Sequence, residues 1–195
     1  MKLADKLADA SNLPPTPGRR FLAKALPVFV YSFFFPALLF VIPKFILDPW
    51  LQLPLFLTPV VRAVLSGSLI TVGLIFLFWS IKAQRVIGQG TPMPLMATQN
   101  LVVQKPYSYC RNPLYFGLIN LFFGISILIG SISSLVMVLA FSVIILLFTK
   151  VIEEKELEKR FGEEYLAYKR TTPFFIPISS LLRRKIQEKN NEFHL

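Results

Sequence analysis

The chain has one cysteine and one histidine among its 195 residues. With Cys110 alone, no intrachain disulfide can form and no Cys-based metal cluster can be built. The single imidazole, His194, stands next to last, so metal-assisted catalysis has almost nothing to work with. Charge is also scarce, at 16% of residues, and acidic groups are the scarcer sign: 11 Asp and Glu against 21 Lys and Arg, for a formal net charge of +10. The cations sit at the ends of apolar segments and form no groove-sized patch, so they fit anionic lipid headgroups and argue against nucleic acid.

What is abundant is apolar. At 54% hydrophobic residues, with 19 Phe and a mean hydropathy of +0.57, the chain carries more apolar surface than a soluble domain of this size can bury. The fold expected is an all-α integral membrane helical bundle with about four transmembrane helices.

Residues 1–24 are polar and basic, with Pro14, Pro15, Pro17 and Gly18 among them, and read as an arm ahead of the membrane. The apolar run that follows begins too late for a signal peptide and lacks a small-x-small cleavage site, so it is expected to stay in the mature protein. The first span is expected over Ala25 to Pro43, kinked at Pro36 and closed by Lys44 and Asp48. Residues 49–61, interrupted by Pro49, Pro54 and Pro59, read as an interfacial or re-entrant piece. A second span is expected over Ala63 to Ile81, where Ser66, Gly67, Ser68 and Gly73 would let a neighbouring helix come close. Transmembrane helices 1 and 2 thus occupy residues 25–81.

From Lys82 to Arg111 the chain leaves the membrane for longer than a simple connector needs. Gly88-Gln89-Gly90 has neither a preceding strand nor a third glycine, and reads as a turn and not as a nucleotide loop. Asn112-Pro113 is a helix start, with Asn able to cap free N–H groups and Pro losing no bond at the first helical position. Residues 113–149 are almost free of charge and should form a hairpin broken at Gly130-Ser131-Ile132-Ser133. The last span runs without a breaker into a charged exit helix, where Glu156 and Arg160 can pair across one turn and which should stop near Gly162. The residues after Pro173 are apolar and then basic, as for a segment lying on a membrane surface. Lys and Arg fall on the arm, the 82–111 loop and everything after Lys150, which puts both termini in the cytoplasm of a multi-pass protein.

Two polar clusters therefore share the cytoplasmic side: Lys105 to Gly117, and the exit helix from Glu153. Taken in order, R-N-P-L-Y-F-G, a helical hairpin, and E-E-x-x-L-x-x-x-F-G-x-x-Y-x-x-Y-x-x-x-x-P at Glu153 to Pro173 resemble the isoprenylcysteine carboxyl methyltransferase and phospholipid methyltransferase superfamily. The resemblance covers about residues 90–178, including Gly90-Thr91-Pro92 and Leu101-Val102. The first half of the chain shares only its membrane character.

The resemblance implies a membrane enzyme that uses S-adenosylmethionine without a soluble nucleotide-binding fold. Residues 82–178 would be the methyltransferase core, with a cytoplasmic cofactor loop, the hairpin and the exit helix; residues 179–195 would be a basic tail. Carried over by position, the cofactor wall is Gln99, Asn100, Leu101, Val102 and Tyr107, then Asn112, Pro113, Leu114 and Tyr115, with Glu153 and Glu154 opposite. Arg111 and Asn112 would be the catalytic pair at the helix start. A carboxylate suits the donor's ammonium, helix-start N–H groups beside Arg111 suit its carboxylate, and Tyr107 or Tyr115 suits its sulfonium.

Two departures narrow the expectation. Asn112 stands where many members have His and cannot carry a proton near neutral pH. Thr149 stands where the prenylcysteine enzymes hold the substrate carboxylate with Arg, and Lys150 is about 100° further round the helix, so a prenylcysteine acceptor is disfavoured. Alone, Glu153-Glu154 would read as a solvated helix face, Cys110 as a packing residue, and Tyr165 and Tyr168 as residues packing the exit helix on the loop. The reading is a methyltransferase acting on a lipid or lipid-anchored acceptor in the membrane. The alternatives are a catalytically silent membrane scaffold and a NADPH-dependent reductase of related fold.

Overall fold

The computed structural model describes residues 29–89 and 98–178, with the single positions Gly18, Phe21 and Ala25. The N-terminal arm, Gly90-Thr91-Pro92 and the basic tail with His194 lie outside the described residues. Among the described residues every regular element is helical.

The first helix, α1, runs over residues 30–50. It does not end at Pro43 as expected. Instead the helix continues to Trp50, passing its prolines on wide π turns at Val30–Phe34, Ala37–Val41 and Pro43–Leu47. A proline inside an α-helix removes one bond and crowds the carbonyl one turn back. An i to i−5 turn, as from Phe35 N–H to the Val30 carbonyl, gives the ring more room. Asp48 does not close a span in water. It is buried, at 6% exposure, and accepts the Ser133 N–H at 3.1 Å. Pro49 belongs to the last turn of α1, residues 51–58 form a loop, and Pro59 starts the next helix.

That helix, α2, is Pro59–Val86. Its 28 residues span roughly 42 Å at 1.5 Å per residue, more than a hydrocarbon core of about 30 Å requires. Helix α3 is Pro113–Ile129; Gly130 ends it at a left-handed φ of 64°. Helix α4, Ile132–Phe148, starts at Ser131, whose hydroxyl accepts the Ser134 N–H. The hairpin thus turns where the sequence placed its break. One π turn, Thr149–Glu153, links α4 to α5, Glu154–Thr171. Among the described residues, Ile132–Thr171, counted as one run, and α2 are the two helices long and apolar enough to cross a membrane; α3 is a shorter apolar helix. As expected, the exit helix is broken at Gly162, whose φ of 54° and ψ of −130° are not helical; a second helical segment follows it to Thr171.

Small residues decide which helices touch. On α2, Ser66, Gly73 and Ser80 recur every seven residues and are all buried; Gly117 and Gly124 keep the same spacing on α3 and are buried too. A Cβ on Gly73 would lie 2.6 Å from the Leu121 amide nitrogen, and one on Gly117 would lie 2.6 Å from that of Leu77. The two backbones are therefore in contact, antiparallel, with nothing between them that could move aside. Gly67 and Ser68, also expected at this seam, face outward. Over α3 and α4, α1 adds Leu39 and Phe40 to a cluster with Leu118, Phe122 and Val138. Ser134 Oγ donates to the Leu39 carbonyl at 2.6 Å.

Gly117→Val is expected to lower the thermal unfolding midpoint of the detergent-solubilised protein, because overpacking against backbone costs about 1–3 kcal/mol or more. Gly67→Ala is expected to leave the midpoint unchanged or raise it, since nothing lies within 4 Å of the added Cβ and Ala gains up to about 1 kcal/mol over Gly in a helix. Equal losses from both would show that the α2–α3 seam does not hold the bundle.

Candidate active site

The loop between α2 and α3 is tied down at both ends. At its start the Gln99 N–H bonds the Gly88 carbonyl at 2.6 Å, the Asn100 side chain bonds the Ile87 carbonyl at 3.2 Å, and Arg160 of α5 donates to the Thr98 carbonyl. At its end Val102, Tyr107 and Cys110 are buried. Tyr107 accepts a hydrogen bond from Gln84 of α2 at its hydroxyl, while its carbonyl accepts the Tyr168 hydroxyl of α5 at 2.7 Å. Both parts of α5 lie along the loop: Leu157 and Phe161 before the break at Gly162, and Tyr165 and Tyr168 after it, pack on Ala83, Val102 and Tyr107.

Between these elements is an open-sided pocket with about 480 Å³ of empty space. Gln84, Thr98, Leu101, Val102, Tyr107, Arg111, Asn112, Thr149, Glu154, Leu157, Tyr165 and Tyr168 line it. Its charged part is a buried ion pair: Arg111 Nη2 and Glu154 Oε1 lie 2.8 Å apart, with side chains 11% and 4% exposed. Lys169 adds a second cation at 2.9 Å from Glu154 and also meets Glu158 at 2.7 Å. The other nitrogen of the Arg111 fork donates to the carbonyls of Lys169 at 2.7 Å and Thr172 at 3.2 Å. Gln84 Oε1 and Arg111 Nε are among the buried polar atoms of the lining that have no hydrogen-bond partner among the described residues.

Of the residues expected at the site, Leu101, Val102, Tyr107, Arg111, Asn112, Thr149 and Glu154 meet at this pocket. Gln99, Asn100, Pro113, Leu114, Tyr115, Lys150 and Glu153 are not part of its lining. Gln99 and Asn100 are exposed where the loop returns to α2, and Lys150 is exposed on the helix. Glu153 accepts the Tyr115 hydroxyl at 2.6 Å, which ties α3 to the start of the exit helix.

The π turn explains why Glu154 and not Glu153 reaches the lining. In an unbroken α-helix, Thr149 and Glu153 are one turn apart and share a face. Here the Glu154 N–H bonds the Thr149 carbonyl, so the face of Thr149 returns at Glu154. Asn112 also differs from expectation. It occupies the position before α3 but makes no capping bond; its amide donates instead to the Phe174 carbonyl at 2.9 Å.

The sequence reading did not single out Gln84, Thr98 or Leu157, and it gave Tyr165 and Tyr168 a packing role only. The spacings 154, 157, 161 and 165, 168, one on each side of Gly162, were the available signal for α5. For Gln84 it was a polar residue one turn after Ser80, on the face of α2 that carries small residues. Thr98 had no signal, because a loop residue is placed by its partners.

With this geometry in hand, comparison with known proteins gives one family. The model of the phospholipid methyltransferase family matches residues 61–164, just over half of the chain. The chain belongs to that family, within the superfamily that also includes the isoprenylcysteine carboxyl methyltransferases. The match begins in α2, so the likeness reaches further back than residue 90. No curated protein matches the chain, and no solved structure does.

Cys110 stands directly before the charged part of the pocket, fully buried, and burial pushes its thiol up to about 11. The thiolate is the reactive form, so near neutral pH the thiol stays protonated and screened. Maleimide is expected to leave Cys110 unmodified in the folded protein and to modify it completely after denaturation. Rapid labelling of the folded chain would mean that the loop opens.

Proposed function

We propose that this member of the phospholipid methyltransferase family transfers a methyl group from S-adenosylmethionine to a lipid-borne acceptor, with the donor held in the Arg111–Glu154 pocket. The observation that carries the reading is the meeting of those two opposite charges, from sequence-distant segments, in one pocket. An amino-acid zwitterion needs such a pair: a guanidinium for its carboxylate and a carboxylate for its ammonium. The remaining lining suits the rest of the donor. Leu101, Val102 and Leu157 offer apolar walls, and Tyr107, Tyr165 and Tyr168 offer aromatic faces to a sulfonium. The orphan atoms Gln84 Oε1 and Arg111 Nε offer one acceptor and one donor.

S-adenosylmethionine, when bound, supplies an electrophilic methyl group on a sulfonium sulfur. The chain's contribution is alignment and exclusion of water. Arg111 and Glu154 fix the polar end of the donor, and the buried loop residues Val102, Pro106, Tyr107 and Cys110 keep solvent from one wall. On the acceptor side the lining has Thr149, which is buried, in place of a cation. This favours a lipid headgroup over a free prenylcysteine carboxylate, with Lys150 nearby on the exposed side of the helix. In the same reading α1, α2, α3 and α4 are four spans, both termini and the pocket are cytoplasmic, and residues 82–178, which include Gln84 at the end of α2, are the functional core.

Purified protein is expected to bind S-adenosylhomocysteine in calorimetry. Glu154→Gln should weaken that binding on the order of tenfold to a hundredfold, as for loss of a charge-assisted bond, and Glu153→Gln should weaken it much less. Labelled S-adenosylmethionine incubated with total lipid should give a phospholipid whose methyl label base does not release as methanol. Absence of S-adenosylhomocysteine binding by the wild type would overturn the assignment, and release of the label as methanol would point to a carboxylate acceptor.

A further inference from the structure

The segment that leaves α5, residues 172–178, returns across the outside of the Tyr109–Asn112 stretch and is pinned to it at several points. The Arg111 N–H donates to the Pro173 carbonyl at 2.8 Å, and the Ile178 N–H donates to the Tyr109 carbonyl at 3.0 Å. Between these two bonds, Phe174 serves two neighbours at once. Its ring lies 5.7 Å from the Arg111 guanidinium, and its carbonyl accepts the Asn112 amide at 2.9 Å. Phe175 closes edge-on against Phe116 of α3, with ring centroids 5.6 Å apart.

We propose that residues 172–178 act as a strap that sets Arg111 in the pocket, and that Asn112 is a positioning residue working through this strap and not a ligand of the bound molecule. The proposal rests on the donor-site reading given above. Its chemistry is specific, because a carbonyl can only accept. The Phe174 contact therefore uses the Asn112 N–H₂ and fixes which way the amide is turned. Asn at the start of a helix ordinarily caps that helix; here the side chain forgoes the cap for the strap. The cation of the pocket is held from the same side, since Arg111 also donates to the Thr172 carbonyl. Releasing the strap would free Arg111 from one of its two backbone acceptors, from an aromatic face and from its own N–H bond together, leaving the Lys169 carbonyl.

Substitutions at Asn112 separate positioning from direct binding. In Asn112→Asp the carboxylate has no proton to donate and faces the Phe174 carbonyl, yet as a direct ligand it would hold an ammonium at least as well as Asn. In Asn112→His the imidazole Nδ1–H can still donate to that carbonyl. Two measurements are made on the full chain in detergent: hydrogen exchange of the 172–178 amides without ligand, and the affinity for S-adenosylhomocysteine.

The Asp variant is expected to exchange faster across 172–178 and to bind on the order of tenfold more weakly, the size of one lost hydrogen bond. The His variant is expected to restore strap protection and most of the affinity. Unchanged or tighter binding by the Asp variant, or weaker binding without faster strap exchange, would overturn the proposal. If the wild type binds no S-adenosylhomocysteine, the donor-site reading fails, and with it the positioning role. Strap exchange in the Asp variant would then report only the Phe174 contact.

Discussion

A charged pair held out of water organises this end of the molecule. Arg111 and Glu154 are almost fully buried, and ions in such a place need further polar partners to offset their desolvation. Supplying those partners gathers the fold, with Arg111 Nε left over. Glu154 draws in Lys169, Arg111 takes the carbonyls of Lys169 and Thr172, and the exit helix must kink and double back far enough to supply them. Loop, exit helix and returning segment are thereby fixed by the same few polar groups. A pair this costly would be a poor way to stabilise a bundle. It becomes reasonable where opposite charges are needed a short distance apart in a pocket.

The pair is aligned by two features remote from it. The first is the seam between α2 and α3, where Gly73 and Gly117 bring the backbones into contact. Gln84 and Asn112 sit at the ends of these two helices, so the seam sets how far apart the two sides of the pocket stand. The second is the π turn at Thr149–Glu153. It advances the exit helix by one residue and thereby decides which of two adjacent glutamates meets Arg111 and which meets Tyr115. At the far end of the bundle, Asp48 holds the start of α4 and anchors α1 against the hairpin.

Much of this was legible in the chain itself. Composition alone required helices in an apolar setting, Gly130 marked the hairpin turn because it can adopt a positive φ that other residues avoid, and Glu156 and Arg160 were spaced to pair, as they do at 2.8 Å. The spacing of R-N-P-L-Y-F-G and E-E led to the family that the profile comparison also gives. Local rules failed where distant partners outbid them. Pro36 and Pro43 should break a helix, but wide turns absorb them. Asn112 should cap its own helix, but the Phe174 carbonyl takes its amide. Gly162, by contrast, did break the exit helix, as its freedom at positive φ suggests.

The sequence by itself determined the helical character, the turn between α3 and α4, and the identity of the two polar clusters. These depend on composition and on interactions between residues close in the chain. Only the tertiary structure decided which side chains of those clusters share the pocket: Glu154 in place of Glu153, Gln84 and Tyr165 added, Tyr115 and Lys150 left out. Such choices turn on helix register and on backbone carbonyls brought from far along the chain, and neither is written in the spacing of side chains.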